Sequence, residues 1–319
     1  MLIAVVFVAA GCEFVPGAAV QPVVGSEQIK QAKYYLDRGL DDSAMAAFGL
    51  AIEENSKLTE AHLGMGHIYF DRKNYKLASR SFLIVTHQDP DSFDGHYYLG
   101  LINQLTNRVD RALPMYLRAL AIRPNSFEAN HNLGSAYYQL GRYAEALSYA
   151  TRAAQLDPIS QGAWANLAAT YSRLGRYEQA VDAYRCANEL GEARTPIHLG
   201  LADALIKMNQ YERAAVVLQG INRRDPAAMS YERLGFCQFK RNKFDDALAS
   251  FRVALSIDKE DTASLNGLGV CLMTLYLQSG RQVRAQWREA LRAWRRSVLL
   301  DADQPRIIDL ISRYQAGYN

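Results

Sequence analysis

The chain has 319 residues, 49% hydrophobic and 22% charged, with a formal net charge of +3, so it is too apolar to be disordered and carries no basic excess that by itself points to nucleic acid. Nine prolines and 21 glycines are no excess and exclude a fibre, and four cysteines exclude a disulfide-stapled mini-fold in a chain long enough to bury a core. On length alone about two domains are expected, a prior that repetitive chains break.

Residues 1–11 form an apolar run that ends at Cys12, with no Lys or Arg before Lys30. A bilayer span needs about 20 residues, so the run has the length of a signal-peptide core instead. Ala9, Ala10 and Gly11 directly before Cys12 resemble the lipobox of bacterial lipoproteins, in which the cysteine is lipidated and becomes the first mature residue. The resemblance implies a signal peptide over 1–11, a lipid on Cys12 and a location at the cell envelope, facing the periplasm or another extracytoplasmic side. An uncleaved anchor extended by Ala18 to Val24 is the alternative, interrupted by Glu13, Pro16 and Pro22, and an ordinary start is a third. Residues 12–26, with Pro16, Gly17, Pro22 and Gly25, read as a flexible tether.

A fixed period follows. Alanines stand at Ala44, Ala78, Ala112, Ala146, Ala180 and Ala214, each 34 residues after the last, then at Ala247 after 33 and at Ala290 after 43. Twelve residues before each of the first seven stands Ala32, Gly66, Gly100, Gly134, Ala168, Ala202 or Gly235, while Gly269 precedes Ala290 by 21. Four residues after each alanine comes Phe48, Phe82, Tyr116, Ala150, Tyr184, Leu218, Phe251 or Trp294. Small residues on two antiparallel helices let their backbones approach, and the aromatic fills the adjacent gap on the same face. Pro90, Pro124, Pro158 and Pro226 stop the second helix of their repeats.

The pattern resembles the tetratricopeptide repeat, most clearly in Asn132-Leu133-Gly134-Ser135-Ala136-Tyr137, Gly141-Arg142-Tyr143-Ala144-Glu145-Ala146-Leu147 and Leu156-Asp157-Pro158, with Trp164 at the family's Trp position in the next repeat. It predicts an all-α, right-handed superhelical solenoid of about eight helix-turn-helix repeats: 25–58, 59–92, 93–126, 127–160, 161–194, 195–227, 228–261 and 262–304. A short amphipathic helix with Ile307, Ile308, Leu310 and Ile311 is expected to cap the last repeat within residues 305–319. The nine extra residues around Leu277 to Gln286 are expected to lengthen the loop inside the eighth repeat.

No nucleophile elbow, phosphate loop or His-Glu-x-x-His spacing occurs, so neither a catalytic site nor a metal site nor a cofactor is assigned, and the chain is read as non-enzymatic. His62, His96 and His198 share the fourth repeat position and are read as structural. Cys186, Cys237 and Cys271 are read as small buried hydrophobes: Cys237 and Cys271 share one position on equivalent helices that stack about 8–10 Å apart, too far for a bridge, and Cys186 lies on a second helix away from both. The stretch from Arg281 to Arg296 carries six arginines against Glu289 alone. It is either a solvated face or a docking face for anionic lipid or an acidic partner.

In the family, the first helix of each repeat lines the inner surface. That resemblance selects Tyr97, Asn132, Tyr138, Asn166, Arg173, Lys207, Arg233, Phe236, Phe239 and Lys240 as a peptide-binding groove, acidic at Glu60, Asp71, Asp94 and Glu128, and more basic further along, with Asp203 and Glu232 among the later residues. Asn132 and Asn166 occupy the position where many members grip a peptide backbone. The lysine, asparagine and arginine set of the chaperone-binding carboxylate clamp is lacking. The expected function is a protein-protein interaction scaffold, a lipid-anchored envelope adaptor in pilus or secretion-system assembly, with protein or peptide partners and no nucleic acid. The alternative is a substrate-recruiting subunit working with a separate enzyme, a peptidoglycan hydrolase or a glycosyltransferase.

Overall fold

The computed structural model describes residues 25–192 and 194–316. Cys12, the export segment 1–11, the tether as far as Val24 and the tail 317–319 lie outside the described residues. The described fold begins at Gly25, the expected start of the first repeat, which is buried against Leu58 at φ +88°.

Among the described residues there are only helices. They are α1 (Ser26–Leu36), α2 (Asp41–Glu54), α3 (Thr59–Asp71), α4 (Tyr75–Gln88), α5 (Phe93–Leu105), α6 (Val109–Ile122), α7 (Phe127–Gln139), α8 (Tyr143–Leu156), α9 (Gln161–Arg173) and α10 (Tyr177–Glu189). There follow α11 (Thr195–Lys207), α12 (Tyr211–Arg224), α13 (Ala228–Lys240), α14 (Phe244–Ile257), α15 (Thr262–Gln278), α16 (Arg284–Leu300) and α17 (Pro305–Ala316). The first sixteen make the eight predicted repeats, two helices each, an all-α repeat solenoid. The chain divides into two compact bodies at Ile102, inside α5. In the first body α1 packs on α2, α2 on α3 and α3 on α4. In the second, α7 to α16 pack pairwise within and between repeats, and the first helices α7, α9 and α11 also touch in succession, as do α13 and α15.

The periodic residues form the core of both bodies. Ala44, Ala78, Ala112, Ala146, Ala180, Ala214, Ala247 and Ala290 are each 0% exposed, and all eight residues four positions later are buried. A Cβ on Gly66 would stand 2.8 Å from the Phe82 ring, and one on Gly235 would stand 2.9 Å from the Phe251 ring. In the fourth repeat, where the aromatic is replaced by Ala150, a Cβ on Gly134 would instead meet the Ala150 backbone nitrogen at 3.1 Å. There the helices themselves have closed the space a ring fills elsewhere.

Each turn within a repeat places one residue in the left-handed region: Gly39, Lys73, Asn107, Gly141, Gly175, Asn209, Asn242 and Arg281, with Gly280 beside the last. The following amide closes a Schellman turn, as in Arg142 N to Tyr137 O at 2.9 Å and Gln210 N to Leu205 O at 2.9 Å. Between repeats, Ser126 and Ser160 accept from the amides of Ala129 and Ala163 as N-caps. The helices end before Pro90, Pro124, Pro158 and Pro226, as the prolines require.

The fourth-position side chains tie repeats together. His62 donates to the Ser56 carbonyl at 3.1 Å, His96 to Pro90 at 3.0 Å, Asn130 to Pro124 at 3.1 Å and Trp164 to Pro158 at 2.9 Å. Each donates to a carbonyl six residues earlier, so the two histidines do the same work as the asparagine and the tryptophan. His198 bonds the Arg194 carbonyl instead, at 3.1 Å. Here Gln161 has taken the carbonyls of Ala187 and Glu192 at the end of the preceding repeat.

The nine extra residues do not simply lengthen a loop. Helices α15 and α16 have 17 residues each where α13 and α14 have 13 and 14, so seven of the nine extend helices and two lengthen the turn. The longer pair accommodates the cap: Ile307, Leu310, Ile311 and Tyr314 of α17 pack on the core around Trp294 and Leu291, and Trp287 Nε1 donates to the Tyr314 carbonyl at 3.1 Å. Trp294→Ala is expected to cost about 3–5 kcal/mol through cavity formation. Ala150→Phe, though it restores the repeat pattern, should cost about 1–3 kcal/mol by overpacking. Urea midpoints of both variants check this, and an Ala150→Phe midpoint at or above the parent's contradicts it.

Candidate functional site

The first-helix residues selected from the sequence are all partly or fully exposed, but they form separate groups. In the first body Tyr97 stacks on Phe93 at 5.7 Å and meets Tyr98 edge-on at 5.3 Å. Tyr98 in turn stacks on Phe82 at 5.0 Å and lies 4.6 Å from the His67 ring. In the second body Tyr138 and Arg173 both contact the Tyr143 ring, at 5.3 and 4.7 Å. Asn166 donates its amide nitrogen to His131 Nε2 at 3.3 Å, so gripping a ligand through both amide groups would break that bond, while Asn132 stands half-buried at the equivalent position.

Lys207, Arg233, Phe236, Phe239 and Lys240 do come together, on α11 and α13. A cavity of about 400 Å³ is lined by Asp203, Ile206 and Lys207 of α11 and by Glu232, Arg233 and Phe236 of α13. A second, of about 260 Å³, shares Glu232 and Phe236 with it and continues over Phe239, Lys240, Phe251, Asn266, Gly267 and Val270. Glycine makes this second cavity possible: a Cβ on Gly267 would lie 2.5 Å from the Phe251 ring, so only its absence lets the core ring form the floor. Asn266 and Val270 were missed in the sequence, although they hold the same lining positions in the eighth repeat as Glu232 and Phe236 hold in the seventh.

The floor is apolar and the rim is charged. Arg233 Nε meets Asp203 Oδ1 at 2.6 Å, and Lys240 Nζ stands 5.6 Å over the Phe236 ring. Burial raises the Asp203 carboxyl, with Arg233 and Lys207 opposing. Burial also raises the Glu232 carboxyl, reinforced by Asp261 and Asp203 and opposed by Arg233. Glu232 has no hydrogen bond or ion pair among the described residues. Arg233 Nη1 and Asn266 Oδ1 are enclosed without a partner, so the rim holds polar groups that the fold does not satisfy.

Burial pushes the Cys237 thiol up to about 12 and the Cys271 thiol up to about 11, and Cys186, Cys237 and Cys271 are all unbridged. Among the described residues no group of three or more His, Cys, Asp and Glu is placed to hold a metal, and no helix is long and apolar enough to cross a membrane.

Tetratricopeptide repeat family profiles match residues 63–127 and 175–233, and the profile of anaphase-promoting complex, cyclosome, subunit 3 matches 106–187. The chain is a tetratricopeptide repeat protein. No curated protein matches it significantly in sequence. Solved structures of similar fold include a tetratricopeptide repeat protein from Parabacteroides merdae, 17% identical, aligned over 81% of this chain and 98% of that one with a TM-score of 0.55. Pseudomonas aeruginosa pilF is 18% identical, aligned over 65% of this chain and 95% of its own, also with a TM-score of 0.55. At these identities the likeness is one of fold. A tetratricopeptide fold of this kind is a protein-protein interaction scaffold.

Two histidines on other first helices, His67 of α3 and His131 of α7, give the stability a pH dependence. Burial lowers His67, with Asp94 and Asp71 partly opposing, and lowers His131. A group with a depressed folded value binds its proton more readily when unfolded, so stability is fully present above the ordinary histidine value of about 6.5 and lost as pH falls below it. The urea midpoint should therefore drop from pH 7.5 to 5.5, and less steeply in His67→Gln/His131→Gln, which removes both linkages.

Proposed function

We propose that this chain is a non-enzymatic adaptor that holds an extended protein segment along α11, α13 and α15 while a lipid on Cys12 keeps it at a membrane of the cell envelope. The observation that carries the binding role is the adjoining pair of cavities with an aromatic floor and a charged rim. At about 260 Å³ the apolar one lies below the usual 300–1,000 Å³ of a small-molecule or cofactor site, and it suits a single large side chain. A backbone passing over the rim offers both donors and acceptors to Glu232, Lys207 and Lys240. Pilus or secretion-system assembly is the setting this reading favours, on the combination of a lipobox-like N-terminus with a tetratricopeptide solenoid.

A displayed peptide library selected on the chain tests the groove. The recovered peptides are expected to share one large apolar residue, and Phe236→Ala/Phe239→Ala should weaken them by about 2–4 kcal/mol with the helical content unchanged. Undiminished binding by that variant moves the site elsewhere; Asn132→Ala/Asn166→Ala reports on the grip expected at the asparagines.

The anchor has its own test. Cys12→Ala, or globomycin treatment, should release the protein from the membrane fraction or block its processing. A variant that stays membrane-bound with unchanged mass rules out lipidation.

A further inference from the structure

Helix α16 turns Ala290, Leu291, Ala293, Trp294 and Ser297 into the core of the second body. Its other side is unlike that of any earlier second helix. At 3.6 residues per turn, Arg284, Arg288, Arg292, Arg295 and Arg296 fall within a sector of roughly 120°. All five are exposed, and Leu299, 86% exposed, lies in the middle of the same sector. Glu289 sits at its edge and is engaged by Arg252 of the preceding repeat at 3.0 Å. Arg295 reaches Gln315 of α17 at 3.0 Å, whereas Arg288, Arg292 and Arg296 make no ion pair among the described residues. The corresponding helix α10 carries Glu178, Asp182, Arg185 and Glu189, the mixed signs of an ordinary solvated face. Five like charges on one helix repel one another, and the arrangement becomes favourable only against an anionic surface.

We propose that the outer face of α16 docks on a membrane surface rich in anionic phospholipid. The arginine row extends over about 18 Å of helix at 1.5 Å per residue, and none of the cavities described above is lined by α16, so there is no recess to select a particular side chain. A plane of phosphates meets such a row without any register, and the guanidinium groups can take each phosphate through two parallel hydrogen bonds. Leu299 then enters the boundary between headgroups and acyl chains while the arginines stay at headgroup level. The attraction is independent of the groove and of Cys12.

Co-sedimentation of the full chain, unlipidated through Cys12→Ser, with vesicles of phosphatidylglycerol and phosphatidylcholine against phosphatidylcholine alone tests this. Any contribution of the N-terminal apolar run is common to both vesicles, so the readout is the preference for the anionic ones. The chain is expected to prefer them and to lose that preference between about 50 and 300 mM salt as the charges are screened. At roughly 5-fold per arginine, Arg288→Gln/Arg292→Gln/Arg296→Gln should reduce the binding by about 100-fold. Arg288→Glu/Arg292→Glu/Arg296→Glu should abolish it, with the thermal midpoint showing that both variants remain folded. Equal binding to both vesicle types, an anionic preference that survives the charge reversal, or tighter binding to polyglutamate than to the vesicles overturns the proposal, the last in favour of an acidic protein segment.

Discussion

The structure depends on the close approach of two helices within each repeat. In the pairs α1–α2, α3–α4, α7–α8, α9–α10, α11–α12, α13–α14 and α15–α16 it is possible because a fully buried alanine on the second helix packs opposite a glycine or alanine on the first. Packing at interior density leaves no slack there: a side chain at Gly66, Gly235 or Gly269 would have to displace an aromatic ring, and one at Gly134 would press on the backbone of α8. Once the pair is closed, the residue four places after the alanine reaches across the gap, and its size decides how the neighbouring repeat can pack.

That dependence extends to the inner face. Where the repeat before carries a ring, the sixth position of the next repeat can lie against it, and the chain resolves the conflict in two ways. Gly64, Gly200 and Gly267 give way completely to Phe48, Tyr184 and Phe251. Tyr98 instead stacks flat on Phe82, and Asn166, next to the small Ala150, has room to bond His131. The apolar floor of the α13–α15 cavity is thus a by-product of core packing, exposed where a glycine leaves it uncovered. Charged groups gather above it because the lining positions are otherwise free of packing demands, and partial burial leaves Glu232, Arg233 and Asn266 incompletely satisfied.

The fold was readable because the constraint is periodic. Alanines in register, small residues twelve places earlier, aromatics four places later and prolines at the ends of repeats mark the sixteen paired helices, and the roles of His62 and His96 follow from sharing a position with Trp164. The site was readable only in part. Lys207, Arg233, Phe236, Phe239 and Lys240 stood at lining positions and do meet, whereas Tyr97, Tyr138 and Arg173 belong to other groups. Asn266 and Val270 went unnoticed although the same positional rule reaches them. The longer eighth repeat was misjudged because an insertion has no period: nothing local distinguishes a longer loop from two longer helices.

Composition, read at the start as a bare +3 and a high apolar fraction, thus resolves into two things the sequence determined by itself, the repeat architecture and the concentration of arginine in the second helix of the eighth repeat. Both are properties of residues close in the chain, where helical periodicity alone sets which side chains share a face. Only the tertiary structure decided which lining residues join, since Glu232 and Asn266 stand 34 residues apart and meet at one cavity through the stacking of α13 on α15. It likewise decided that Asn166 is held by His131, and that the arginines of α16 lie opposite its buried face. These outcomes depend on how much volume each packed ring occupies, which sequence spacing does not encode.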